Sequence, residues 1–150
     1  MRVGVVSDTH GLLRPRVLTL LQGCDRILHA GDVGNPEVLT RLREAAPVEA
    51  VRGNVDTGPE AQALQFMLSG DLDGLPFRMI HRREDVDLSW TKSLRLVVFG
   101  HSHRPELEWR GACLLLNPGA CGPKRFSYPL TLAILTVAAG RLVPEILAVE

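Results

Sequence analysis

The sequence predicts an α/β domain of two sheets packed face to face with helices outside, and three observations carry that expectation. Apolar runs of strand length recur along the chain, each ending in a polar or glycine-rich corner. The first three runs alternate with stretches of helical spacing, and after Phe77 strand signals follow one another with turns between them. The 150 residues have the size of one domain spanning positions 1–150.

Val3–Val6 is the first expected strand, and Leu13–Leu21 follows as a helix with Pro15 in its first turn. Arg26–Ala30 supplies the second strand. Pro36–Ala45 is the second helix, because Asn35 can cap it and Pro36 suits its first position. Val48–Arg52 then completes a βαβαβ order, and Ala61–Leu68 reads as a third, shorter helix. Phe77–Ile80, Leu94–Phe99, Ala112–Leu116, Leu132–Val137 and Leu142–Leu147 read as consecutive strands, with turns at Asn117-Pro118-Gly119 and Ala139-Gly140. The second half is therefore expected as a mostly antiparallel addition.

Composition narrows the function classes. Seventeen Lys+Arg offset seventeen Asp+Glu, the net charge is zero, and aromatic residues make up 5%. A groove for polymeric nucleic acid needs positive charge and stacking rings, so these values argue against one. The opening apolar run stops at Ser7-Asp8, too short for a leader core or a membrane span, and a cytoplasmic protein with no membrane partner is expected. Cys24, Cys113 and Cys121 form no Cys-x-x-Cys pair and are expected as reduced, buried thiols.

The chemistry concentrates at strand ends. Asp8 and His10 follow the first strand, Asp32 the second and Asn54 the third; His81 closes the fourth run, and His101 and His103 close the fifth. In α/β proteins the carboxyl ends of parallel strands share one edge of a sheet, so these seven candidate ligands converge although they are scattered in sequence. Two Asp, one Asn and four His suit borderline divalent ions without thiolates. A carboxylate can bridge two such ions, and a pair of ions clamps a phosphoryl group while acidifying a bound water. Glycine beside Asp32, Asn54 and His101 would let the backbone turn sharply and an anion approach. His29, three residues before Asp32, reads as a buried support for the site rather than a ligand.

With these residues in view, the sequence resembles the calcineurin-like metallophosphoesterase superfamily, and within it the small single-domain phosphodiesterases of bacteria and archaea to which the retromer scaffold subunit is also related. The match runs in order through Ser7-Asp8-Thr9-His10, His29-Ala30-Gly31-Asp32, Arg52-Gly53-Asn54-Val55-Asp56, His81, Gly100-His101-Ser102-His103 and Asn117-Pro118-Gly119-Ala120. The resemblance implies a four-layer α/β/β/α sandwich of two mixed sheets. It also implies a two-metal site in which Asp8, His10 and His103 hold one ion, Asn54, His81 and His101 hold the other, and Asp32 bridges them. Asp32, Asn54 and His101 form the implied catalytic set, and a hydroxide bridging the ions attacks phosphorus in line with the leaving oxygen. Mn²⁺ is the first expectation for the metal, with Ni²⁺, Fe²⁺, Co²⁺ and Zn²⁺ compatible with the same donors.

Two departures from the family pattern bear on the substrate. Val55 stands where many members carry a His proposed as general acid, which favours phosphodiesters with acidic leaving groups over alkyl monoesters. Asp56 is the nearest substitute acid, or else a cap on the turn. Arg82 and Arg83 stand where relatives continue with Gly-His; they either meet a substrate phosphate through paired N–H donors or lie solvated beside Glu84 and Asp85. The expectation is a metal-dependent phosphodiesterase acting on a small phosphodiester, and the alternative is a non-enzymatic interaction scaffold on the same fold. Leu64, Phe66, Met67 and Leu68 would supply an apolar patch, a buried helix face or a homo-oligomer contact.

Overall fold

The computed structural model describes residues 1–125 and 127–150, and among these ten strands form two five-stranded sheets. The first sheet runs β10 (Arg141–Ala148), β9 (Thr131–Ala138), β1 (Arg2–Val6), β2 (Arg26–His29), β3 (Val48–Ala50). Its strands β1, β2 and β3 are parallel, and the chain between them passes through helices α1 (Pro15–Leu20) and α2 (Pro36–Leu42). The second sheet runs β4 (Met67–Leu72), β5 (Leu75–Ile80), β6 (Leu96–Val98), β8 (Cys113–Asn117), β7 (Glu106–Arg110). Here β5, β6 and β8 are parallel, and the edges β4 and β7 are antiparallel.

Local signals explain the elements that frame the site. Asn35 Oδ1 accepts the Glu37 N–H at 2.9 Å and Pro36 opens α2, as the sequence suggests, although the helix ends at Leu42 rather than Ala45. Ala139 and Gly140 both adopt positive φ, 52° and 73°, which matches the twist needed to fold β10 tightly back on β9.

Three apolar layers follow. Val3, Val5, Leu28, Phe77, Met79 and Leu96 are among the side chains that meet between the sheets. Val17, Leu21, Leu39 and Leu42 pack under the two helices on the outer face of the first sheet. Over the outer face of the second sheet, Val86, Trp90 and Leu94 cover Val97, Phe99 and Leu115. They come from and around two 3-10 helices, Arg83–Asp85 and Leu88–Lys92, so the fourth layer of the sandwich is made of 3-10 turns rather than α-helices. All three cysteines are buried and free.

Three expectations change. Ala61–Leu68 is not a helix: only Ala61–Ala63 forms a 3-10 turn, and Met67 begins β4. Leu64 and Leu68 are half-buried against the two main cores, whereas Phe66 and Met67 face solvent. The strands after Phe77 do not stay together, because β9 and β10 cross to the first sheet, where β9 pairs antiparallel with β1 and β10 with β9. Antiparallel pairing thus lies at the flanks, and the strands that feed the site are parallel within each sheet. No helix among the described residues is long and apolar enough to cross a membrane.

Candidate metal centre

The parallel strands deliver their carboxyl ends to one rim. The loops after β1 and β2 are laced together by backbone bonds from Asp8 N–H to Gly31 O (3.0 Å), His10 N–H to Asp32 O (2.9 Å) and Gly11 N–H to Val33 O (2.8 Å). From the second sheet, His81 follows β5 directly, and the Gly100 N–H donates to His81 O at 2.8 Å. Asn117, at the end of β8, donates through Nδ2 to Gly100 O (3.2 Å) and Ser102 Oγ (3.1 Å), which fixes the loop bearing His101 and His103.

Two clusters result, each with ligand atoms within 4.8 Å of one another: Asp8, His10 and His103; and Asp32, His81 and His101. Asp32 faces both, with Oδ2 3.1 Å from His81 Nε2 and 3.7 Å from His10 Nε2. Asn54 joins the second cluster, its Oδ1 3.1 Å from His101 Nδ1. All seven residues singled out in the sequence are therefore brought together.

Each carboxylate has one oxygen committed to the protein and one aimed inward. Asp8 Oδ2 accepts the Ser7 hydroxyl at 2.7 Å and the His101 N–H at 3.1 Å, while Oδ1 lies 3.6 Å from His10 Nε2 and 3.5 Å from His103 Nε2. Asp32 Oδ1 accepts the Val55 N–H at 3.0 Å. His81 Nδ1 donates to Ala30 O at 2.7 Å, which fixes its tautomer and turns Nε2 toward the carboxylates. Asp8 Oδ1, His10 Nε2, His81 Nε2 and His103 Nδ1 are buried without a hydrogen-bond partner. Buried polar atoms are ordinarily paired, so four orphans on the residues of these two clusters fit a site built for cations.

Electrostatics agree. Burial works to raise the pKa of Asp8, but the adjacent His10 imidazole, the Ser7 hydroxyl and the charges of His81 and His103 bring it below the ordinary value. Asp32 is likewise opposed by burial, yet His81 and the Val55 N–H draw it down to about 2. Burial would lower His81; the Asp32 and Asp8 carboxylates override it and raise its pKa. Burial lowers His103. Both carboxylates are thus ionised at neutral pH in a partly dry cavity, and cations would compensate them.

The backbone is strained where the ligands sit. Asp8, His10, Asp32, His101 and His103 all have positive φ, between 45° and 71°. Such conformations cost about 1 kcal/mol or more each for residues with a Cβ. Of the neighbouring glycines, Gly31 makes the sharp turn expected beside Asp32, at φ 104°, and the other two serve close packing. A Cβ on Gly53 would lie 2.1 Å from Asp32 Oδ1, and one on Gly100 would lie 2.1 Å from Ser7 Oγ. Both admit close approach by the protein's own ligand loops.

Beneath the ligands, His29 is completely buried, and burial lowers its pKa to about 4. Its Nδ1 accepts the Gly31 N–H at 3.1 Å, so Nε2 carries the proton and donates to Thr9 Oγ1 at 3.0 Å; that hydroxyl donates onward to Val33 O at 2.8 Å. Asp56 is a clamp and not a spare acid. Its carboxylate accepts backbone N–H groups from Val33 (3.2 Å), Gly34 (2.9 Å) and Gly53 (2.8 Å), tying the Asp32 loop to the Asn54 loop.

Arg82 and Arg83 part company. Arg82 lines a cleft with Asn54 and His81 and pairs with Glu84, whereas the Arg83 guanidinium lies 5.6 Å over the Phe99 ring. Sequence reasoning missed Ser7, Thr9 and Asn117 as supports. Ser7 and Thr9 alternate with the ligands in Ser7-Asp8-Thr9-His10, a pattern in which every polar residue follows a buried strand.

The sequence model of the calcineurin-like phosphoesterase superfamily domain matches residues 1–140. A probable metallophosphoesterase of Methanothermobacter thermautotrophicus is 31% identical over 98% of this chain and 92% of its own length. Phosphodiesterase YfcE of Escherichia coli K12 is 28% identical over 90% of this chain and 87% of its own length. In structure, a single mutant of Vps29 from Entamoeba histolytica superposes with a TM-score of 0.78, at 19% identity and 99% coverage of both chains, which shows the shared fold. Two packed mixed sheets, a rim of Asp, Asn and His at their parallel strand ends, and this sequence match together show that the chain belongs to the calcineurin-like phosphoesterase superfamily.

Proposed function

We propose that the chain is a metal-dependent phosphodiesterase with a two-ion site, Asp8, His10 and His103 holding one ion, Asn54, His81 and His101 the other, and Asp32 shared. The observation that carries this reading is the gathering of Asp8, His10 and His103, and of Asp32, His81 and His101, with Asp8 Oδ1, His10 Nε2 and His81 Nε2 buried and unpartnered among them. Divalent ions, Mn²⁺ first and Ni²⁺, Fe²⁺, Co²⁺ or Zn²⁺ on the same donors, would supply Lewis-acid stabilisation of the phosphoryl oxygens and an acidified water for in-line attack on phosphorus. The chain contributes order. Ser7 and the His101 N–H hold Asp8, and the Val55 N–H holds Asp32, so each carboxylate presents one oxygen in a fixed direction.

The Val55 side chain brings no proton to the leaving group, and Asp56 is committed to three N–H donors. A positioned acid is typically worth about 10²–10⁴ in rate, so its absence favours esters whose leaving oxygen needs no protonation. The names of two sequence relatives, a metallophosphoesterase and a phosphodiesterase, support the same class.

The test is hydrolysis of a chromogenic phosphodiester and its matching monoester by chelated protein resupplied with single divalent ions, beside an Asp32→Asn variant. Diester turnover that returns with metal and disappears in the variant is the expected result. Two bound ions with no turnover of either ester would overturn it in favour of a non-enzymatic scaffold.

A further inference from the structure

A ring and a cation stand beside the centre, outside the seven ligands. Phe66 is 64% exposed, which forgoes the burial energy of a phenyl group, yet its position is fixed. The Arg52 N–H donates to Gln65 O at 2.8 Å, and Val51 forms a parallel bridge with Gln65, which pins the chain just before the ring. Arg52 Nε donates to Ala61 O at 3.0 Å, and its guanidinium carbon lies 4.5 Å from the Phe66 ring centroid. One side of the ring is therefore covered by an anchored cation and the rest is left to solvent. The ring lines a cleft of about 90 Å³ together with Arg52, Asn54, His81 and Arg82. Two of those residues belong to the second ligand cluster, so the cleft opens from the place where the phosphoryl group is expected.

We propose that this cleft is the subsite for one ester group of the substrate, and that Phe66 selects diesters in which that group is a flat aromatic ring. The inference rests on the phosphodiesterase reading and adds a substrate class to it. An offset ring stacks on the open side of Phe66 at little entropic cost, because the phenyl group is already held and has only two side-chain torsions to fix. Arg52, stacked on one face, holds the ring in place at the wall of the cleft. A phenyl ester and a nucleoside ester share this chemistry.

The test compares kcat/KM for three diesters with the same p-nitrophenyl leaving group and methyl, phenyl or thymidyl as the second ester group, on protein loaded with the ion that supports turnover. The phenyl and thymidyl esters are expected to exceed the methyl ester by about tenfold, a ratio that falls toward parity in Phe66→Ala and returns in Phe66→Trp. A thymidyl ester ahead of the phenyl ester marks a nucleotide substrate, and equality marks a simple aryl group. A ratio that Phe66→Ala does not move overturns the proposal. If no diester is turned over, the hydrolase reading has failed separately, and calorimetric binding of phenylphosphonate against methylphosphonate decides the subsite. A preference for the phenyl ligand that depends on Phe66 supports it, and equal binding overturns it.

Discussion

The two ligand clusters differ in how far they are closed off. Each cluster has two buried members, Asp8 and His103 in one and Asp32 and His81 in the other, and one partly covered imidazole, His10 or His101; the difference is Asn54, which brings the second cluster to solvent. The inner cluster is assembled by the loop after β1 and the far end of the β6 loop, with the Ser7 hydroxyl and the His101 N–H gripping one carboxylate oxygen. The outer cluster opens onto the cleft of Arg52, Phe66 and Arg82. Under the proposed two-ion reading, similar donors in different enclosure would give the ions different duties, the inner one held as part of the structure and the outer one exchangeable.

The largest expected effect comes from removing what the clusters share. Asp32→Asn should lower diester turnover by roughly 10³-fold and bind fewer than two ions by calorimetry, while Asn54→Ala should lose the outer ion and retain the inner one. Equal loss of both ions in Asn54→Ala would break the comparison.

Next in size is a pH effect beneath the inner cluster, measured without metal. Complete burial pushes the pKa of His29 down to about 4 in the folded chain, from the ordinary imidazole value of 6.5. Between those values the unfolded chain binds more protons than the folded one, so stability is lost as pH falls from 6.5 toward 4, on the order of 3 kcal/mol for this group. Denaturant unfolding across that window should show the loss in the parent protein and a flatter profile in His29→Gln, whose amide can serve both partners. An unchanged slope in the variant would remove His29 as the cause.

The smallest effect sharpens the comparison most. Ser7→Ala takes one of two donors from Asp8 Oδ2, and supports of this kind typically cost about 10–100-fold in metal affinity. Stepwise titration should place that loss at the tighter site alone; a loss spread evenly over both would mean that the clusters behave as one.

How much of this was legible in the sequence depends on strand position. The seven ligands could be read because buried strands end abruptly and parallel strands share an edge. Edge strands gave weaker signals. In β4 the residues Met67–Leu72 are mostly exposed or half-buried, so their apolar content imitates a helix face; the better clue was Asp73-Gly74, both at positive φ, joining β4 to β5 as a hairpin. β7 alternates Leu107 and Trp109 with charged residues, a strand pattern left exposed on an edge. The crossing of β9 and β10 to the first sheet was not legible, since nothing local distinguishes which sheet a buried strand joins. Asp56 and Gly100 could be named from the sequence but not given their roles, because each acts through a residue remote in the chain.

That remoteness has a kinetic side. The bond from the His101 N–H to Asp8 Oδ2 spans 93 positions, and the inner cluster needs both sheets in place before its donors face one another. Loop-closure entropy has been met by then, and the crossing of the folding barrier is expected to precede any ordered site. Bound ions should therefore leave the refolding rate nearly unchanged and slow unfolding, lengthening the lifetime of the native state. The five left-handed ligand positions reinforce that asymmetry: their strain favours opening in the bare chain, and ions that hold the ligands in place act as a latch on a fold already closed.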